Sequence, residues 1–187
     1  MPLLLTAALS ASDYAVTGVD IAPERYRAAI GRMGITVIKC DIEKETLPFD
    51  DDAFDAVVFN ELFEHLRINP VFTLSEVRRV MKPGGIMMLS SPNLRSLDGI
   101  RNFIFRNRAY SCAGNLYAEY RKLETLGHMG HVREYTTTEV IDFLTNVGFE
   151  VTKVIYRGRF NSIAKRLLAA SIPSLRPFVS YVSTKPM

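Results

Sequence analysis

Tryptophan is absent from the 187 residues, cysteine occurs twice, and no glycine precedes Gly18. Cys40 and Cys112 offer neither a disulfide framework nor zinc-ligand spacing; they suit a reducing compartment, and a cytoplasmic location is expected. Long hydrophobic runs are also missing. Ile86-Met87-Met88-Leu89 and Val57-Val58-Phe59 fall far short of the roughly 20 residues of a bilayer span, so no transmembrane segment is expected. The apolar start, Met1 to Ala11, has no basic residue ahead of it, which argues against a secretion signal. Internal repeats and low-complexity tracts are lacking too.

What is present is 48% apolar residues, enough to bury a continuous core, and the simplest organisation is one domain over 1–187. The net charge of +3 conceals an asymmetry: acids outnumber bases up to residue 93, and bases outnumber acids after it. An anionic partner would therefore meet the second half, although a solvated basic surface explains the same balance.

From Ala15 onward, short β-rich runs alternate with helical periodicity, which predicts an α/β fold with a mostly parallel sheet and helices on both faces. The predicted strands are Ala15 to Asp20, Thr36 to Cys40, Phe54 to Asn60, Ile86 to Ser91, Phe149 to Tyr156 and Phe178 to Ser183. Pro23 opens a helix that Gly31 and Gly34 close. Asn69-Pro70 reads as N-cap and first turn of a helix to about Met81, which Pro83-Gly84-Gly85 stops as a turn into the next strand. Thr136-Thr137-Thr138-Glu139 is a capping box for a helix that Gly148 ends. Residues 93–133 are too long for an ordinary connection, and inserts at the carboxyl end of a strand are commonly functional. Phe160 to Leu175 has amphipathic spacing, read as packing on the sheet or on a neighbouring subunit before membrane contact.

Acids mark successive strand ends. Asp20 follows the first strand, Asp41 the second and Glu61 the third, so a parallel sheet would carry them along one edge, where ligands of open α/β sheets bind. Taken alone, Asp20 also reads as a strand-terminating turn acid and Asp41 as an N-cap, the lesser reading in each case. A nicotinamide enzyme would also use an acid at Asp20, but it needs a glycine fingerprint about 20 residues earlier.

The segments Val16 to Ile21, Lys39 to Ile42, Leu47 to Val57, Phe63-Glu64-His65-Leu66, Val80 to Gly85 and Gly130 to Thr136, in this order and spacing, resemble the class I S-adenosylmethionine-dependent methyltransferases, in the branch of small type 11 or 12 domains. The resemblance covers about residues 3 to 156. It implies a Rossmann-like methyltransferase fold with a helical insert after the family's fifth strand, and S-adenosyl-L-methionine as cofactor. Asp20 would accept from the ribose hydroxyls with Ile21 on the adenine; Asp41 would take the adenine amino group with Ile42 beside the ring. Asn60 and Glu61 would meet the methionine portion, with Phe63 as a wall for the sulfonium. His131, or Tyr135 behind it, would orient a nucleophile or take its proton, because this stretch lies near the family's substrate mouth. Residues 93–133 would form a lid whose mixed arginines and aromatics suit a small-molecule, phosphate-bearing or lipid-linked acceptor better than RNA. Oligomers are compatible with all of this.

The family's sheet runs 3-2-1-4-5-7-6, and its central first strand and Gly-x-Gly-x-Gly loop have no counterpart ahead of Asp20. The expectation is an N-terminally truncated fold with weak cofactor binding; a non-catalytic scaffold subunit, a gene fragment, and strands 2 and 4 closing on each other or on a partner's strand are the alternatives. Asp55 reads as structural and His65 as helix packing. His128-Met129-Gly130-His131 lacks carboxylate or cysteine partners at ligand spacing, so no metal is expected there.

Overall fold

The computed structural model describes residues 4–12, 14–126 and 130–187. Where the sequence reads as one domain, the chain groups into two compact units, up to Pro48 and from Phe49 onward.

The first unit holds α1 (Leu4–Ser10), β1 (Thr17–Asp20), a 3-10 turn at Pro23–Tyr26, α2 (Arg27–Met33) and β2 (Thr36–Lys39). Pro23 sits in the first turn of its 3-10 segment, where its missing N–H costs nothing. Gly34 closes α2 at φ 63°, a left-handed conformation that glycine adopts without a Cβ penalty. β1 and β2 pair in parallel, with Thr17 opposite Thr36 and Asp20 opposite Lys39. Pro2, predicted at the start of the first helix, lies outside the described residues.

The second unit is a four-stranded sheet of β3 (Phe54–Asn60), β4 (Met81–Pro92), β5 (Glu150–Arg157) and β6 (Phe178–Thr184), in the order β3-β4-β6-β5. β3 and β4 are parallel, and β6 is antiparallel to both its neighbours, so three of its strands share one direction. Asn69 caps α3 (Pro70–Val80) by accepting from Phe72 N, and Thr136 caps α6 (Thr137–Val147) through the predicted box, which Gly148 closes. Leu74, Val77 and Val80 of α3, Val140 and Leu144 of α6, and Met87, Leu89, Val179 and Tyr181 of the sheet form the core.

Three expectations change. Pro83-Gly84-Gly85 is a bulge inside β4, not a turn before it: Phe54 pairs with Met81 and Ala56 already with Ile86, while Gly84 N donates to Lys185 O and Lys185 N to Gly85 O. Helices were predicted over both faces of the apolar strands, yet Val58, Ile86 and Ile155 are exposed. The Phe160 to Leu175 helix is α7 (Ile163–Ser171), and its apolar face is largely open: only Ala169 is buried, with Ile163 71% exposed.

Candidate functional site

In the first unit, parallel pairing brings the ends of β1 and β2 to one edge. Cys40 N donates to Asp20 O at 3.1 Å, so Asp41 leaves β2 at the same end as Asp20. Both carboxylates organise local turns: Asp20 Oδ1 accepts from Ala22 N at 2.7 Å, and Asp41 Oδ1 from Glu43 N at 3.2 Å, with Lys44 paired to Asp41 at 3.0 Å. These are Asx turns, in which each carboxylate keeps further lone pairs for a ligand's hydroxyl or amino group. Ile21 is exposed and Ile42 half-buried.

In the second unit, Asn60 and Glu61 end β3. Glu61 is left-handed at φ 49°, an uncommon geometry for a side chain with a Cβ and one that clusters at binding sites. Glu61 N donates to Ser90 O, and Ser90 Oγ, between Asn60 Oδ1 at 3.1 Å and Glu61 Oε1 at 2.9 Å, ties both side chains to β4. Arg157 of β5 completes the group as the ion-pair partner of Glu61.

The next turn, a 3-10 segment at Phe63–His65, carries the chemistry further. Phe63 is the candidate wall for the sulfonium. Its ring is buried against Tyr135 at 4.7 Å and Phe143 at 5.2 Å, because the aromatic pair supplies the apolar burial that a short turn lacks. Glu64 is 1% exposed, and neither of its carboxylate oxygens has a hydrogen-bond partner among the described residues. Burial pushes its carboxyl up to about 7.

Segment 130–135 docks on this turn. Val132 N donates to Glu64 O at 2.8 Å, and the His131 ring lies edge-on to His65 at 5.0 Å between centroids. The Glu119 carboxylate closes on Gly130, where an added Cβ would lie 1.5 Å from Oε2 and displace it; that oxygen accepts from His131 N at 3.0 Å. His131 Nδ1 meets Glu134 Oε1 at 2.9 Å, and this contact holds the imidazole charged to higher pH than usual.

Glu134 is fully buried and fully engaged. It accepts from His131, from Ser111 N at 2.5 Å, Cys112 N at 3.2 Å, Ala113 N at 3.0 Å and the Ser111 hydroxyl. Burial alone would raise its carboxyl, but these donors override it and bring it down to about 2. The segment it holds, 111–113, belongs to the insert, whose described helices are α4 (Leu97–Arg106) and α5 (Leu116–Leu126). Ser111 and Cys112 also line a cleft of about 480 Å³ with Asp98, Arg159, Phe160 and Lys165.

Residues 3–89 match the family profile described as Methyltransferase domain. Over that stretch, a little under half of the chain, the sequence is similar to a methyltransferase domain. The fold is the Rossmann-like one predicted. Solved structures agree in fold. An S-adenosylmethionine-dependent methyltransferase from Methanosarcina mazei aligns with a TM-score of 0.66 at 17% identity over 97% of this chain and 87% of its own. One from Archaeoglobus fulgidus aligns at 0.65 and 17% identity over 97% and 80%. A third, from Mesorhizobium loti, aligns at 0.60 and 21% identity over 90% and 79%. No curated protein matches in sequence. Among the described residues, no helix is long and apolar enough to cross a membrane.

Sequence reasoning named Asp20, Asp41, Asn60, Glu61, His131 and Tyr135 but passed over Glu64 and Glu134. Their one signal in the sequence is position, each three residues after another candidate, Glu61 and His131. His128 and Met129 of the weighed metal stretch lie outside the described residues.

Proposed function

We propose that the chain transfers the methyl group of S-adenosylmethionine to an amphiphilic acceptor that carries an anionic group. The observation that carries this reading is the cleft beside segment 111–113, the segment that Glu134 holds: Arg159 lines it together with Ser111, Cys112 and the Lys165–Asp98 ion pair. Asp20 and Asp41 hold the ribose and adenine, and Asn60 and Glu61 serve the methionine end, where a sulfonium gains from negative charge nearby. Residues 93–133 act as a lid over the acceptor. Its outward apolar residues, Phe103 and Phe105 among them, with Ile163 and Leu167 of α7, suit an acyl or isoprenoid portion.

Sulfur is already a good leaving group, so the protein's contribution is alignment and exclusion of water. His131, steered by Glu134 through Nδ1, orients the acceptor nucleophile, and Tyr135, whose ring is pinned by Phe63 and by Arg133 at 5.0 Å, fixes the segment that carries it.

Calorimetric titration with S-adenosylmethionine tests the cofactor half. Asp20→Ala and Asp41→Ala should each weaken binding about tenfold or more, equivalent to roughly 1.4 kcal/mol. Unchanged affinity in both would overturn the reading. With labelled methyl donor, Arg159→Ala should leave cofactor affinity intact while cutting incorporation into an acidic-lipid fraction.

A further inference from the structure

Glu64, His65 and His131 each direct one ligating atom into a common space, and these atoms lie within 4.8 Å of one another. We propose that Glu64, His65 and His131 form a binding site for a divalent first-row transition ion, with Glu134 as the outer carboxylate that orients His131. The inference rests on the methyl-transfer reading for its purpose but not for its existence.

Three independent features converge. The first is the unpartnered carboxylate: Glu64 is 1% exposed and both its oxygens lack hydrogen-bond partners among the described residues, a costly arrangement that a cation relieves. The second is the donor set. Two imidazoles and one carboxylate are the ligands of His2Glu zinc centres and of facial triads, and they discriminate against magnesium, which prefers oxygen donors and its own waters. Ligands about 2.0–2.1 Å from one ion stand roughly 3–4 Å apart, so modest side-chain rotation closes the observed spacing. The third is the support of His131. A metal-bound imidazole usually donates its other ring N–H to a carboxylate; Nδ1 of His131 meets Glu134 at 2.9 Å, leaving Nε2 for an ion.

The donors come from two segments that the fold fastens together, since Val132 N and Arg133 N both donate to Glu64 O. Three protein ligands leave open positions, as in catalytic sites, and the side chain of His131 is 19% exposed, so the site is reachable. The acceptor atom this implies is a hydroxyl oxygen. Bound to the ion, the hydroxyl loses its proton to water more readily. Its oxygen then forms the bond to the methyl carbon as the carbon–sulfur bond breaks, and that electron pair stays on sulfur, giving neutral S-adenosylhomocysteine.

The test uses the full chain, stripped with a chelator and titrated with Zn²⁺ and Co²⁺ in the absence of S-adenosylmethionine, by calorimetry and by the visible absorption of Co²⁺. One equivalent should bind with a dissociation constant in the micromolar range or below, and Mg²⁺ should compete poorly. Glu64→Gln and His131→Gln should each weaken Co²⁺ at least tenfold, Glu134→Gln should weaken it while changing its absorption spectrum, and Asp20→Ala should leave it unchanged. A thermal shift on Zn²⁺ addition in the wild type but not in Glu64→Gln gives a second readout. Absence of stoichiometric Zn²⁺ and Co²⁺ binding, or equal binding by Glu64→Gln and His65→Gln, would overturn the proposal. Metal binding without cofactor binding would instead remove the methyl-transfer reading and leave the ion site standing.

Discussion

Two glutamates lie on either side of His131, both buried, and their surroundings are opposite. Glu134 accepts from three backbone N–H groups, a hydroxyl and an imidazole, whereas Glu64 has no hydrogen-bond partner among the described residues. The same side chain is therefore driven down to about 2 in one place and up to about 7 in the other. Donors, not depth, decide which buried carboxylate is structural. Glu134 ties the insert to the segment after it. Glu64 stores a charge imbalance that a proton or a cation must settle, and this marks it as chemistry.

The largest expected effect follows from deleting the satisfied member. Glu134→Ala leaves the N–H groups of 111–113 and the His131 ring without their acceptor, and removing one partner from such a group costs about 3–5 kcal/mol. Urea unfolding at pH 7 measures it; a loss under about 1 kcal/mol would erase the contrast.

Next in size is the pH dependence, which runs in opposite directions for the two residues. Glu134, depressed from 4.5 to about 2, contributes stability that is present above about pH 4.5 and lost as pH falls toward 2. Glu64, raised to about 7, binds a proton in the folded state that the unfolded chain has already released, so metal-free protein loses stability as pH rises from about 4.5 to 7. Each amounts to about 3 kcal/mol at 1.36 kcal/mol per pKa unit. Glu64→Gln should flatten the upper limb and leave the acid limb in place, as read by thermal melts across pH 3–9. His131, raised by its contact with Glu134, adds stability that is present below pH 6.5 and fades as pH climbs through its folded value.

Why one part of this was legible and the other not is a matter of range. Asp20, Asp41 and Glu61 announce themselves because a strand, a tip and an acid are adjacent in sequence, and parallel pairing then fixes their common edge within each sheet. The capping box at Thr136 and the N-cap at Asn69 are local for the same reason. The cluster around Glu64 joins residues nearly 70 positions apart through backbone contacts of Val132 and Arg133 to Glu64, and no periodicity encodes that. For Phe63, a family motif gives residue type but not the direction in which a 3-10 turn points it. The exposed apolar positions Val58 and Ile86 were read as covered because a strand's sequence cannot say which of its two faces is packed.

A smaller change separates anchoring of the segment from the chemistry on it. Thr136 caps α6 just beyond Tyr135, accepting from Glu139 N while Glu139 accepts from Thr136 N. Thr136→Ala should cost about 1 kcal/mol of stability in a denaturant titration. Because Glu134 is held by the insert and not by the cap, the same substitution should leave Co²⁺ affinity within about twofold. A large loss of affinity would mean that the helix start, and not the five donors to Glu134, sets the position of His131, and the comparison between the two glutamates would then concern fold stability alone.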